Sequence, residues 1–165
     1  MAAEHRSKRE DLALEPMAER LLEIAPRLTR LISAAAQGSG ISGTLTITQL
    51  RALGILARGS KLPSQLARDL EISPATASEV VDLLVRRGLV QRGDRPEDRR
   101  HTPLALTSAG LDQYRLAHRR ASAALEALLE QVEPGVLADL ERGMETLLVL
   151  LRRRAAAARE TVDAG

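Results

Sequence analysis

The sequence has no cysteine and only one aromatic residue, Tyr114, among its 165 positions. The absence of cysteine excludes disulfides, thiolate metal sites and cysteine-based oxidation sensing. A core must therefore be built from Leu, Ile, Val, Ala and Met, a composition that favours helices. No apolar run reaches the roughly 18 residues that span a bilayer, and the N-terminus lacks the apolar region of a secretory signal. These absences predict a mainly helical cytoplasmic protein.

The charge of the chain is nearly balanced, with a formal net charge of +2 at pH 7. Nucleic-acid binding therefore cannot be argued from the whole chain. Residues 51–100 hold ten Lys and Arg against seven Asp and Glu. This modest basic bias directs attention to the middle of the sequence.

The N-terminal part divides into a charged arm and a helix. Residues 1–11 lack apolar periodicity and are expected to form a disordered arm. From residue 12 to about 37, apolar residues recur at three- and four-residue steps, which predicts an amphipathic helix that Pro26 should kink or divide. With the Gly- and Ser-rich loop that follows, residues 12–43 form a predicted N-terminal dimerisation segment.

Capping residues mark two further helices. Thr46 or Thr48 can cap the first, and Gly59 can end it. Residues 60–62 fit a short strand. Pro63 is suited to the first turn of the next helix.

A fourth helix is predicted to start at Ser73 and Pro74 and to run to about Arg87. Its first half carries short side chains and no bulky apolar residue before Val80. Two helices joined by a tight turn, the second with an unobstructed N-terminal half, are typical of a helix-turn-helix that enters a DNA major groove.

An arginine-rich hairpin is predicted after this helix. Residues 89–92 and 101–107 fit two strands, and the charged segment between them contains the Gly and Pro of turns. Six arginines lie between residues 86 and 100: Arg86, Arg87, Arg92, Arg95, Arg99 and Arg100. Residues 44–107 are therefore predicted to form a winged helix-turn-helix DNA-binding domain.

Two long helices are predicted at the C-terminal end, the first over about 108–131, capped by Thr107 or Ser108, and the second from Pro134. Their apolar stripes are too long for the small central domain to cover, and a twofold dimer is the commonest solution. The predicted fold is mainly α with a small β-hairpin wing, flanked by long dimerisation helices that include residues 108–165.

The residues of each candidate DNA-binding site could also have a purely structural role. The small-residue tip at 73–78 is also a good helix start. The wing arginines also fit a solvated loop in which Asp98 pairs with Arg100, while arginine also suits a narrow minor groove. Arg86 and Arg87 either complement the helix dipole or contact phosphate.

Other kinds of site have little support in the sequence. The histidines, His5, His101 and His118, lack metal-ligand spacing, so no metal and no cofactor are expected. Tyr114 fits core packing better than a small-molecule pocket. No nucleophile–base–acid set and no phosphate-binding loop appear, which argues against an enzyme.

The chain resembles a MarR-family transcriptional regulator over residues 12 to about 158. Any one matching segment is weak, but the order and spacing of the segments are specific. The segments are Leu45-Thr46-Ile47-Thr48-Gln49-Leu50, Leu66-Ala67, Ser73-Pro74-Ala75-Thr76-Ala77-Ser78, Val81-Asp82-Leu83-Leu84, Arg87-Gly88-Leu89-Val90, Asp98-Arg99-Arg100 and Leu106-Thr107-Ser108-Ala109-Gly110.

The resemblance implies a homodimeric DNA-binding regulator, more often a repressor, on a pseudo-palindromic operator. It also implies a small-molecule effector between the dimer helices and the winged domain, for which Tyr114 is a weak candidate residue. The DNA-binding residues implied by the resemblance and the residue pattern are Ser73, Thr76, Ala77, Ser78, Arg86, Arg87, Arg95, Asp98, Arg99 and Arg100. Among them, Asp98 and Arg100 match the wing motif in which the arginine reaches the minor groove.

One departure from the family pattern is Glu71, which occupies a turn position where glycine is common. The lack of cysteine argues against the peroxide-sensing branch of the family. The alternative to DNA binding is a winged-helix module that binds another protein through its wing.

Overall fold

The computed structural model describes residues 14–37, 45–93 and 102–163, and the side chains as far as residue 157. Within these ranges the chain is mainly helical with one two-stranded sheet, as predicted. The elements are α1 (Leu14–Ala36), α2 (Ile47–Leu56), α3 (Pro63–Leu70), α4 (Pro74–Arg86), β1 (Val90–Arg92), β2 (Leu104–Leu106), α5 (Ser108–Leu129) and α6 (Pro134–Asp163). The predicted arm at 1–11, the glycine-rich loop and the tip of the wing lie outside the described residues.

The helix starts follow from local capping chemistry. Thr46 caps α2: its Oγ1 accepts a hydrogen bond from the Gln49 amide at 3.2 Å, and its own amide donates to Gln49 Oε1 at 3.1 Å. This reciprocal pair satisfies two amides that a helix start leaves without partners. Pro63 opens α3, as predicted. Gly59, which follows α2, has a φ of 143°, a value that favours glycine.

Pro26 lies inside α1, which is one continuous helix. Of the two predicted effects of Pro26, division of the helix is therefore wrong, and a kink stays a prediction. Proline removes a single backbone donor, the one that would bond to the carbonyl four residues earlier in the helix. The local loss is small enough for the helix to continue.

One apolar core joins α2, α3, α4 and the two strands. Its members are aliphatic, as the composition requires, and they include Leu45, Leu53, Leu66, Leu70, Val81, Leu84, Leu89, Val90 and Leu104. Burying each such side chain stabilises the fold by about 1.5–3 kcal/mol. This core fixes the helix-turn-helix and the base of the wing as one body.

The sheet is short and antiparallel. Val90 pairs with Leu106 and Arg92 with Leu104. On the other side of β2, Lys61 forms a single bridge with Leu104: the Lys61 amide donates to the Leu104 oxygen at 3.0 Å and the Leu104 amide to the Lys61 oxygen at 2.7 Å. The short strand predicted at 60–62 is thus one bridging residue.

The chain divides into two compact units at Ala124 and Leu125, within α5. The first contains the winged helix-turn-helix. In the second, α6 exposes large apolar residues along its length: Val136, Leu140, Met144, Leu148, Val149, Leu150 and Leu151. In the part of the chain that the structure describes, no helix is long and apolar enough to cross a membrane.

Candidate nucleic-acid interface

The N-terminus of α4 presents small polar side chains to solvent. Ser73 is its N-cap, and its Oγ accepts a hydrogen bond from the Thr76 amide at 3.1 Å. The two hydroxyls lie 2.9 Å apart. Ser73, Thr76 and Ser78 are all exposed. A helix start with short hydroxyl side chains can approach phosphates and base edges closely.

Ala77 has a different place from its neighbours. Its side chain is only 2% exposed, so it packs in the interior and offers no surface for contact. The prediction that Ala77 belongs to the contact surface is therefore corrected. The reason is the helical period, because Ala77 lies one turn before Val81 and two turns before Leu84, which are also buried.

The turn between α3 and α4 is formed by Glu71. Its φ and ψ are 59° and 43°, and it is the non-glycine residue with positive φ among the described residues. The Ile72 amide donates to the Ala67 oxygen at 3.1 Å, which closes the turn. Glu71 thus adopts the left-handed conformation that glycine would take, at a cost of roughly 1–2 kcal/mol.

The C-terminal end of α4 carries two arginines in different environments. Arg86 is exposed in the last turn, whereas Arg87 is half-buried at the C-cap and already makes an interaction within the chain. Arg86 is therefore better placed for a phosphate contact. Gly88 follows with a φ of 68° and ends the helix, as predicted.

An ion pair joins α4 to the wing. Arg92 Nη2, at the end of β1, donates to Asp82 Oδ1 at 2.8 Å. The Gly93 amide then donates to the Pro103 oxygen at 2.9 Å and extends the pairing towards the tip. Arg95, Asp98, Arg99 and Arg100 lie beyond this point, outside the described residues, so their predicted roles stay predictions.

A second junction connects the wing to α5. Thr107 Oγ1 donates to the Gly88 oxygen at 2.7 Å and accepts from the Gly110 amide at 3.0 Å, so Thr107 is the cap of α5. The Thr107 amide donates to the Leu89 oxygen at 3.1 Å. These bonds tie the end of α4 and the return of the wing to the first turn of α5.

Tyr114 packs against the core. A Cβ added to Gly54 of α2 would lie 3.1 Å from Tyr114 Cε2, so the absence of a side chain there makes room for the ring. The ring centroid also lies 5.7 Å from that of His118. This contact supports the packing interpretation, and a ligand role for Tyr114 stays a prediction.

Sequence reasoning missed two features of the site. One is the Asp82–Arg92 pair, and the other is the close approach of Gly110 in α5 to the Leu89 backbone, which leaves no room for a Cβ at position 110. Each depends on two elements that meet only in the folded chain. The Thr-x-x-Gly spacing after β2 is a local signal for the second. In the described ranges, no group of three or more His, Cys, Asp or Glu could hold a metal ion.

Comparison with known proteins agrees with this architecture. The MarR family model matches residues 43–101, which contain the helix-turn-helix and the wing. The central domain of the chain therefore matches the MarR family. MarR-family proteins are transcriptional regulators and not enzymes.

A curated relative, the uncharacterized HTH-type transcriptional regulator YhbI of Bacillus subtilis, is 40% identical over 52 residues. That match covers 32% of this chain, and the chain spans about a third of the relative's length (34%). The sequence match is therefore local to the central domain.

Solved structures extend the likeness to most of the chain. RV1404 from Mycobacterium tuberculosis has a TM-score of 0.70 at 26% identity, covering 82% of this chain and 91% of that one. FabT of Streptococcus pneumoniae, crystallised in complex with DNA, has a TM-score of 0.70 at 22% identity, covering 85% and 98%. A mutant form of MarR from E. coli, complexed with operator DNA, has a TM-score of 0.64 at 20% identity, covering 81% and 94%.

Proposed function

We propose that this chain is a MarR-family regulator that acts as a homodimeric DNA-binding repressor on a pseudo-palindromic operator, in the cytoplasm. The observation that carries the proposal is the exposed N-terminus of α4. This helix is the second helix of the helix-turn-helix, and the buried core holds it in place. Ser73, Thr76 and Ser78 are exposed there, and no large side chain obstructs the approach of a groove. The DNA complexes of FabT and MarR support the same use of this fold.

The contacts divide between two kinds of residue. Hydroxyls at the helix tip donate to or accept from phosphates and base edges, and Ser78 is the best placed for a base because it lies beyond the capping turn. Arg86 and the wing residues Arg95, Arg99 and Arg100 supply positive charge for phosphates and the minor groove. The exposed tip lacks the Arg, Asn or Gln that make the most discriminating bidentate base contacts, so DNA shape contributes part of the specificity.

The dimer part of the proposal rests on exposed apolar faces. Six large apolar residues of α1 are 39–69% exposed: Leu14, Met17, Leu21, Leu22, Ile24 and Leu28. The seven on α6 are 39–55% exposed. Contiguous apolar surface of this kind marks an interface, and a twofold partner presents the same surfaces in return. Two copies would place their α4 helices in successive major grooves about 34 Å apart.

Control by a small molecule completes the proposal. The distance between the two α4 helices in a dimer decides whether both can enter the operator. An effector that binds one spacing more tightly than the other would shift the population between them. The effector is proposed from the resemblance to the family, and so is its binding site.

A titration of the full chain into labelled random duplex at low salt tests DNA binding. We expect saturable binding. The logarithm of the association constant should fall linearly with the logarithm of salt concentration. The absence of any binding at low salt would reject the DNA interpretation and favour a winged-helix module that binds protein. A screen for molecules that release the bound duplex then tests effector control.

A further inference from the structure

The pair formed by Asp82 and Arg92 links the recognition helix to the wing. Asp82 is a residue of α4, and Arg92 is the last residue of β1. The distance from Nη2 to Oδ1 is 2.8 Å, and the side chains are 22% exposed for Arg92 and 44% for Asp82. The pair therefore lies at the boundary between the core and the proposed DNA-facing surface.

The buried base, the Lys61 bridge and the Thr107 junction hold the wing near the core, but the outgoing strand beyond Val90 has few other contacts to fix its angle. Each of its strands has three residues, and a two-stranded hairpin is marginally stable by itself. At its base Val90 and Leu104 are buried, whereas Gln91 is exposed and Gly93 has no side chain. Arg92 is thus the last described residue of β1 whose side chain can hold the outgoing strand to α4.

We propose that Asp82 is a positioning residue for DNA binding: by holding Arg92, its carboxylate fixes the wing at the angle at which the wing arginines and the α4 tip engage one duplex together. This inference rests on the proposed function. It concerns a carboxylate that contacts its own chain and needs no contact with DNA. The pair also neutralises a negative charge near the surface that faces the phosphates.

The position of Asp82 allows a positioning role and simple charge repulsion to be distinguished, because the two predict opposite changes in DNA affinity when the carboxylate is removed. Asp82 follows Ser78 by four residues, so the two side chains lie on the same face of α4. A carboxylate near phosphate repels it, and its removal should by itself tighten DNA binding. If Asp82 positions the wing, its removal should weaken binding instead.

The test compares Asp82→Asn, which keeps the shape and loses the charge, with the full-length wild-type chain. Both are titrated with the same labelled random duplex over about 50–200 mM salt. We expect roughly fivefold weaker binding at the low-salt end, as an order of magnitude for losing a partly buried ion pair. We also expect a shallower salt dependence, because misplaced wing arginines release fewer counterions.

Glu79→Gln is the matched control. Glu79 lies on the same helix, is exposed and forms no ion pair among the described residues. It loses the same charge, so binding should be unchanged or tighter. Asp82→Glu keeps the charge and should recover most of the affinity. In a chain that already carries Arg95→Ala and Arg100→Ala, Asp82→Asn should have little further effect, since its action passes through the wing.

The salt dependence separates positioning from a loss of folded protein. Partial unfolding lowers the active fraction equally at every salt concentration and leaves the slope unchanged. If Asp82→Asn lowers the unfolding temperature, the double variant Asp82→Asn with Arg92→Gln, which leaves no unpaired charge, provides the same comparison. A folded Asp82→Asn or double variant that binds as tightly as wild type with the same slope would overturn the positioning role. A wild-type chain that binds no duplex would instead reject the proposed function, and the positioning role with it.

Discussion

Gly110→Ala should strongly destabilise the fold because α5 begins in direct contact with the core backbone. A Cβ at position 110 would overlap the Leu89 oxygen and lie 2.8 Å from the Leu89 carbonyl carbon. Leu89 cannot easily withdraw, since its side chain is 2% exposed and its amide donates to the Leu84 oxygen at 2.9 Å. Removal of the clash therefore requires the first turn of α5 to move away from Leu89.

The expected loss can be estimated from the contacts that such a shift would break. Overpacking typically costs about 1–3 kcal/mol. The hydrogen bonds from the Thr107 amide to the Leu89 oxygen and from the Gly110 amide to Thr107 Oγ1 contribute roughly 1 kcal/mol each. Alanine regains about 1 kcal/mol as a better helix former. The net loss is about 2–4 kcal/mol, which lowers the midpoint of thermal unfolding by roughly 4–16 °C.

Urea and thermal unfolding of both variants at one protein concentration provide the assay, since the stability of a dimer depends on concentration. Gly143→Ala in α6 is the matched control, because a Cβ there meets no atom within 4 Å. It should stabilise the chain by up to about 1 kcal/mol. If Gly110→Ala is as stable as wild type, the proposed contact between α5 and Leu89 is wrong.

Three further predictions concern the turn, the wing and the dimer. Glu71→Gly should raise the free energy of unfolding by about 1 kcal/mol, because glycine adopts the left-handed conformation without the steric cost. Glu71→Ala should give no such gain, and equal stability of the two variants would count against this reasoning. Arg95→Ala with Arg100→Ala should weaken duplex binding and reduce the salt slope by roughly 0.9 for each phosphate that the wing no longer neutralises; an unchanged slope would exclude contacts from the wing. Deletion of residues 134–165 should leave a monomer in sedimentation, and a stable dimer would show that the interface lies elsewhere.

The order of elements could be predicted from the sequence because it depends on local signals. Thr46 and Ser73 cap helices with their own hydroxyls, Pro63 fits a first turn, and Gly88 ends α4 at a positive φ. Each signal acts within a few residues, where side-chain and backbone chemistry alone decide the outcome. The predicted ends of the long helices, at 37 and 131, lie within two residues of the observed Ala36 and Leu129.

The errors and omissions arise where distant parts of the chain meet. Ala77 resembles its exposed neighbours in size, yet the core formed by other elements decides that it is buried. The partner of Asp82 lies on another element, ten residues further along. Gly110 faces the backbone of Leu89, a contact that no periodicity indicates. Pro26 stays within a continuous helix because a single missing donor costs less than breaking α1.

The central claim is that two copies of the α4 tip read one operator. Genomic fragments retained by the full-length chain can be selected, and the strongest can be footprinted with hydroxyl radicals. We expect two protected half-sites with a common inverted sequence, centred about one helical turn apart, on one face of the duplex. A single protected site without inverted symmetry, or no retained fragment at all, would contradict the claim.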